Sequence, residues 1–139
     1  MSILEYGPPL SLATAKRVLE AAEAEAAANQ WAMVIAVADS GGNLVALHRM
    51  DRAQFGSLEL AQAKARSAVY FKRSTKVFED ALAGGGLGLR MLSADGICPF
   101  EGGLPLMSGG KVIGAIGVSG ATSAQDGQVA LVGAKAIGE

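Results

Sequence analysis

Over residues 11–30, apolar side chains recur at Leu12, Ala15, Leu19, Ala22 and Ala26, spacings of three and four that lay one stripe along a helix. Ser11 precedes the stripe and is placed to cap it, its hydroxyl accepting from a free N–H of the first turn. The period then changes. In "MVIAVADSGGNLVALHRM" two apolar runs flank "DSGGN", whose glycines tolerate positive φ and whose Asp and Asn can bond the local backbone, so a β-hairpin is expected. Helical spacing returns over about 57–71, with Ala61, Ala65, Ala68 and Val69 on one face and Glu59, Gln62 and Arg66 free to face water. Thr75 is placed to cap a short third helix to about residue 83, where "GGGLG" stops it because so many glycines keep too much unfolded-state entropy. After a loop, "ICPFEGGLPLMSGGKVIGAIGVSG" is cut at "EGG" and "SGG" into two small strands and a longer one over about 111–118. "GQVALVGAKAIGE" predicts a last helix, with Val129, Val132 and Ala136 at helical spacing.

The expected order is α, β, β, α, α, β, β, β, α. Grouped elements and hairpins predict an α+β domain with an antiparallel sheet of about five strands, and exclude a doubly wound parallel sheet. No repeat or linker interrupts the chain, so one domain spans residues 1–139. "MVIAVA" and "VIGAIGV" do not alternate apolar with polar, which implies that both faces of the sheet are covered. Four helices cover one face and part of the other; a second subunit is the expected remaining cover, and a homo-oligomer is predicted.

Composition narrows the chemistry. Half of the residues are hydrophobic but only 5% are aromatic, so Ala, Val, Leu and Ile must build the core. With 12 Lys plus Arg against 13 Asp plus Glu and no basic stripe, nucleic acid is not the expected partner. One cysteine, Cys98, and one histidine, His48, leave no intrachain disulfide and no structural metal site. No basic leader or long apolar run suggests export or membrane spanning, and the cytoplasm is the expected compartment.

Neither glycine cluster reads as a phosphate loop: "GGGLGLR" follows a helix, and "SGGKVIG" lacks a hydroxyl residue after its lysine. Polar candidates gather in "ALHRMDRA". Strand parity puts His48 and Met50 on one side and Arg49 and Asp51 on the other, so the bland expectation pairs Arg49 with Asp51 at a strand exit. Lys64 lies on a stripe with Ser57, Ala61 and Ala68, where a lysine either snorkels outward or holds its ammonium in a partly enclosed site. Glu101, between prolines and glycines in "PFEGGLP", is either a turn residue or a pocket carboxylate.

"VAVADSGGNLVALHRMDRA", "SLELAQAKARSAVYF", "RSTKVF" and "EGGLPLMSGGKVIGAIGVSGATSAQD" together resemble the GlcG/HbpS family, the haem-degrading domain family that also occurs as the C-terminal domain of PduO-type proteins. The resemblance covers about residues 10–136. Arg52 stands where the family pattern has a small glycine, and Ser67 where it has threonine. The resemblance implies a profilin-like fold assembled into oligomers. Two functional classes follow, the first from the resemblance and the second from the chemistry of the polar candidates. In the first, haem or iron is bound in connection with haem degradation, with His48 and Met50 as axial candidates and Arg49, Arg52 or Lys64 near the propionates. In the second, no cofactor is needed: a catabolic isomerase, lyase or hydrolase holds a small anionic or carbonyl substrate with Arg49 and Lys64 while Asp51 or Glu101 moves a proton. A non-catalytic accessory role is the third expectation.

Overall fold

A computed structural model describes residues 3–138. Its elements are α1 (Leu12–Ala28), β1 (Val34–Asp39), β2 (Leu44–Arg49), α2 (Gly56–Phe71), α3 (Lys76–Ala83), a 3₁₀ segment (Gly86–Ser93), β3 (Gly103–Ser108), β4 (Lys111–Ser119) and α4 (Ser123–Lys135). The four strands form one antiparallel sheet in the order β2-β1-β4-β3.

The sheet has four strands rather than about five, because residues 97–100 form no strand. There the Phe100 N–H donates to the Cys98 carbonyl at 2.9 Å, turning the chain instead of extending it. Thr75 is likewise not a helix cap. Its hydroxyl donates to the Phe100 carbonyl at 2.6 Å and accepts from the Gly103 N–H at 2.9 Å, tying the start of α3 to β3. "GGGLG" ends α3 as expected, but Gly86–Ser93 continues as 3₁₀ helix and not as an open loop. The last helix starts earlier than its apolar spacing suggested, since Thr122, as N-cap before Ser123, and Gln125, the third helical residue, form a reciprocal capping box.

Ser11 caps α1 by accepting from the Thr14 N–H at 3.1 Å, and Ala15, Val18, Leu19, Ala22 and Ala26 are buried, whereas Leu12 is half exposed. These residues and Val129 and Ala130 of α4 pack on Ile35, Val37, Ile116 and Val118, one face of the two central strands. Ala61, Ala65, Ala68 and Val69 of α2 cover the other face over Val34, Ala36, Ala38 and Ala115. β1 and β4 are thus apolar on both faces because this one chain covers both, so they require no second subunit.

Small residues set that spacing. A Cβ on Gly117 would run into the Ala61 carbonyl, and one on its register partner Gly103 into the Lys64 carbonyl. Two facing glycines therefore let α2 lie directly on the backbone of β3 and β4.

In the hairpin, Asp39 Oδ1 accepts from the N–H groups of Gly41 (2.9 Å) and Asn43 (3.0 Å), and Gly42 takes a left-handed φ of 83°. β2 is an edge strand, partly exposed throughout, and it leaves the sheet at Arg49. There the Met50 N–H still donates to the Met33 carbonyl, and Ala53 closes a turn onto the Met50 carbonyl.

Candidate functional site

Where β2 leaves the sheet beside the end of α1, a groove of about 850 Å³ opens, lined by Glu23, Ala27, Gln30, Trp31, Ala32, Arg49, Met50, Asp51 and Arg52. The strand ends at Arg49, so alternation no longer governs the residues beyond it. The turn gathers Arg49, Met50, Asp51 and Arg52 into one space that strand parity divides between two faces. The expected Arg49–Asp51 pair does not form: among the described residues neither these two side chains nor Arg52 has an ion-pair partner within 4.0 Å.

His48 stands one residue before this turn, on the α1 side of the sheet opposite Ile35. Its Nδ1 lies 2.7 Å from Oε1 of Glu23, itself a wall of the groove, and its side chain is 42% exposed. With the proton on Nδ1, the ring donates to the carboxylate and holds the lone pair of Nε2 outward; among the described residues nothing bonds Nε2.

Lys64 and Glu101 do not line this groove, so among the described residues it does not combine them with Arg49 and Asp51. Lys64 does not snorkel. It is 1% exposed, and its Nζ donates to the Val118 carbonyl at 2.8 Å and to Oδ2 of Asp126 at 2.9 Å. Asp126 Oδ1 accepts from the Ala121 N–H at 2.9 Å. Burial pushes the Asp126 carboxyl above the ordinary carboxylate range, and the Lys64 ammonium opposes the rise.

Glu101 is half-buried against Gly127 of α4, where any Cβ would collide with its carboxylate. Its N–H donates to Oε1 of Glu79 at 3.1 Å. Desolvation raises the Glu101 pKa, Lys76 opposes it, and Glu79, Asp80 and Asp126 add to the rise. Among the described residues no group of three His, Cys, Asp or Glu is placed to hold a metal ion. No described helix is long and apolar enough to cross a membrane.

Sequence reasoning missed Glu23, Gln30, Trp31 and Asp126. Glu23 lies in the second half of α1 and Gln30 and Trp31 just beyond its C-cap, where nothing local signals that a strand exit lies alongside. Asp126 falls in the sequence just before the helix expected from residue 127; the structure puts it in the first turn of α4 and buries it, which nothing local signals.

A family model described as haem degrading protein HbpS-like matches residues 10–135. Protein GlcG of Escherichia coli (strain K12) is 40% identical over 110 residues, 79% of this chain and 81% of that protein. A crystal structure of a PduOC complex with haem is 31% identical, with a TM-score of 0.84 over 94% of this chain and 96% of that one. A double mutant of Streptomyces reticuli HbpS is 29% identical, with a TM-score of 0.87 over 98% and 92% of the two chains.

Proposed function

The chain belongs to the HbpS-like family, and from that premise we propose that it binds haem at the groove between the end of α1 and the exit of β2, in a role linked to haem degradation. The observation that carries the reading is the Glu23–His48 pair. A histidine that ligates iron commonly donates its other ring N–H to a carboxylate, which sets the tautomer and makes the ligating nitrogen more basic. His48 does not itself line the groove but is bonded to its wall residue Glu23 and adjoins its lining residue Arg49; it has that second partner, with Nε2 left for iron. Trp31, Met50, Ala27 and Ala32 offer apolar wall, Met50 offers a thioether, and Arg49 and Arg52 offer charge for propionates. The relative crystallised with haem adds support. Bound haem would supply a redox-active iron; the chain's own part is to orient the ring, shield one face and neutralise the carboxylates.

The protein is read as a homo-oligomer of the cytoplasm. Phe55 (84% exposed), Leu87 (75%) and Leu92 (70%) support self-association as apolar surface left open by the single chain. Haem titration followed through the Soret band tests the main reading. A shifted band that changes in His48→Ala, with binding weakened about 10- to 100-fold in Glu23→Gln, is expected. No shift, or one unaltered in His48→Ala, would remove it.

A second reading is favoured by the unpaired Asp51 between two unpaired arginines: a cofactor-independent enzyme holding a small anionic or carbonyl substrate on Arg49 and Arg52, with Asp51 moving a proton. Lys64 is spent on Asp126 and supports this chemistry only indirectly. Screening metabolites for thermal stabilisation that disappears in Arg49→Ala tests it; stabilisation that persists in that variant counts against it.

A further inference from the structure

Three non-glycine residues among those described have a left-handed backbone, and two of them, Gln30 (φ 61°) and Arg52 (φ 69°), line the groove. Gln30 has a local reason: it comes just after the C-cap of α1, and the Trp31 N–H reaches back to the Ala26 carbonyl at 2.9 Å, the bond that commonly closes a helix through a left-handed residue. Arg52 has none. It occupies the third position of the turn closed by Ala53 onto Met50, where glycine would sit without strain. Its side chain is exposed and, among the described residues, makes no hydrogen bond or ion pair that would offset the strain. Arg49, on the same groove, has no partner either. Side chains in sparsely populated backbone regions concentrate where the strain serves a ligand.

We propose that Arg49 and Arg52 form a two-point clamp and that Arg52 makes the groove select ligands carrying two carboxylates over otherwise similar ligands carrying one or none. Each guanidinium offers a fork of N–H donors that matches one carboxylate, and a ligand with two such groups engages both. The inference rests on the groove being the ligand site but not on haem being the ligand, since a tetrapyrrole with two propionates and a small aromatic dicarboxylic acid present the same chemistry.

The test compares haem with its dimethyl ester by Soret titration, and phthalate with benzoate by thermal shift, for the wild-type chain and for Arg52→Gly. A preference of about tenfold or more for the free diacid is expected in the wild type, falling toward one in Arg52→Gly. Without ligand, Arg52→Gly should melt at or above the wild-type temperature, because the strain is relieved. Equal affinity for diacid and ester, together with equal response to phthalate and benzoate, overturns the clamp. So does a preference that survives in Arg52→Gly. Should haem fail to bind while phthalate stabilises the wild type more than benzoate, and Arg52→Gly loses the difference, the clamp stands and the haem reading falls.

Discussion

Lys64 Nζ reaches Oδ2 of Asp126 at 2.9 Å with both side chains almost wholly out of water, joining α2 to α4 past the end of β4. The Val118 carbonyl holds the same ammonium at 2.8 Å, and Gly102 packs close enough that a Cβ there would lie 2.9 Å from Nζ. Removing one partner therefore strands a buried charge. Lys64→Met should destabilise the chain by about 3–5 kcal/mol, and the double variant Lys64→Met with Asp126→Leu should recover much of that loss. Denaturant unfolding of the wild type and the two variants measures it; a double variant no more stable than the single would show that the pair does more than cancel its own burial.

Two glycines of similar appearance should behave in opposite ways. Gly117→Ala drives a methyl into the Ala61 backbone beneath α2, so the helix must lift from the sheet; a loss of several kcal/mol, on the order of the largest core defects, is expected. Gly127→Ala meets the Glu101 side chain from its carboxylate back to Cγ, a flexible chain that can swing away rather than backbone that cannot. Alanine is also the better helix former by about 1 kcal/mol, so this variant should be neutral or more stable in the same unfolding assay.

Glu101 gives a pH signature. Its folded pKa is raised by desolvation, with Lys76 opposing and Glu79, Asp80 and Asp126 contributing. The folded chain then binds the proton more tightly than the unfolded chain, so stability is highest below the ordinary carboxylate pKa, falls as pH rises through the folded value and stays lower above it. Asp126 has the same sign. Glu101→Gln should flatten the curve over that window and be the more stable protein at pH 7, by less than about 1 kcal/mol because solvent screens the group. A steeper curve in Glu101→Gln would contradict the assignment.

Cys98 should be inert. It is buried, its N–H donates to the Ser67 hydroxyl at 3.1 Å, and burial pushes its thiol pKa up, so little thiolate is exposed. Labelling of the native chain by a thiol reagent is expected to be slower than in denaturant by a factor on the order of 100. Comparable rates would mean that the segment around residue 98 opens readily.

Legibility in the sequence tracks the range of the forces involved. α1, the β1–β2 hairpin, α2 and the long strand β4 each rest on local periodicity or on turn chemistry within a few residues, and all are readable. The strand expected at residues 97–100 is absent because apolar character there serves a turn held by Thr75, a residue far along the chain. Thr75 misleads for the same reason: its hydroxyl answers to Phe100 and Gly103, not to its own helix.

The candidate site divides in the same way. Residue types and their order alone determined that the polar residues around Arg49 and Asp51 would surface at a strand exit, and that the family is the HbpS-like one; the turn that brings Met50 and Arg52 into the same space was decided by the structure. Only the tertiary structure decided that Glu23 would meet His48, that Arg52 would keep a strained turn beside Gln30 and Trp31, and that Lys64 would be consumed by Asp126. Periodicity says which side of an element a residue occupies. Which charges meet there depends on how helices and sheet pack across dozens of residues, and the desolvation that makes those meetings matter exists only once they have packed.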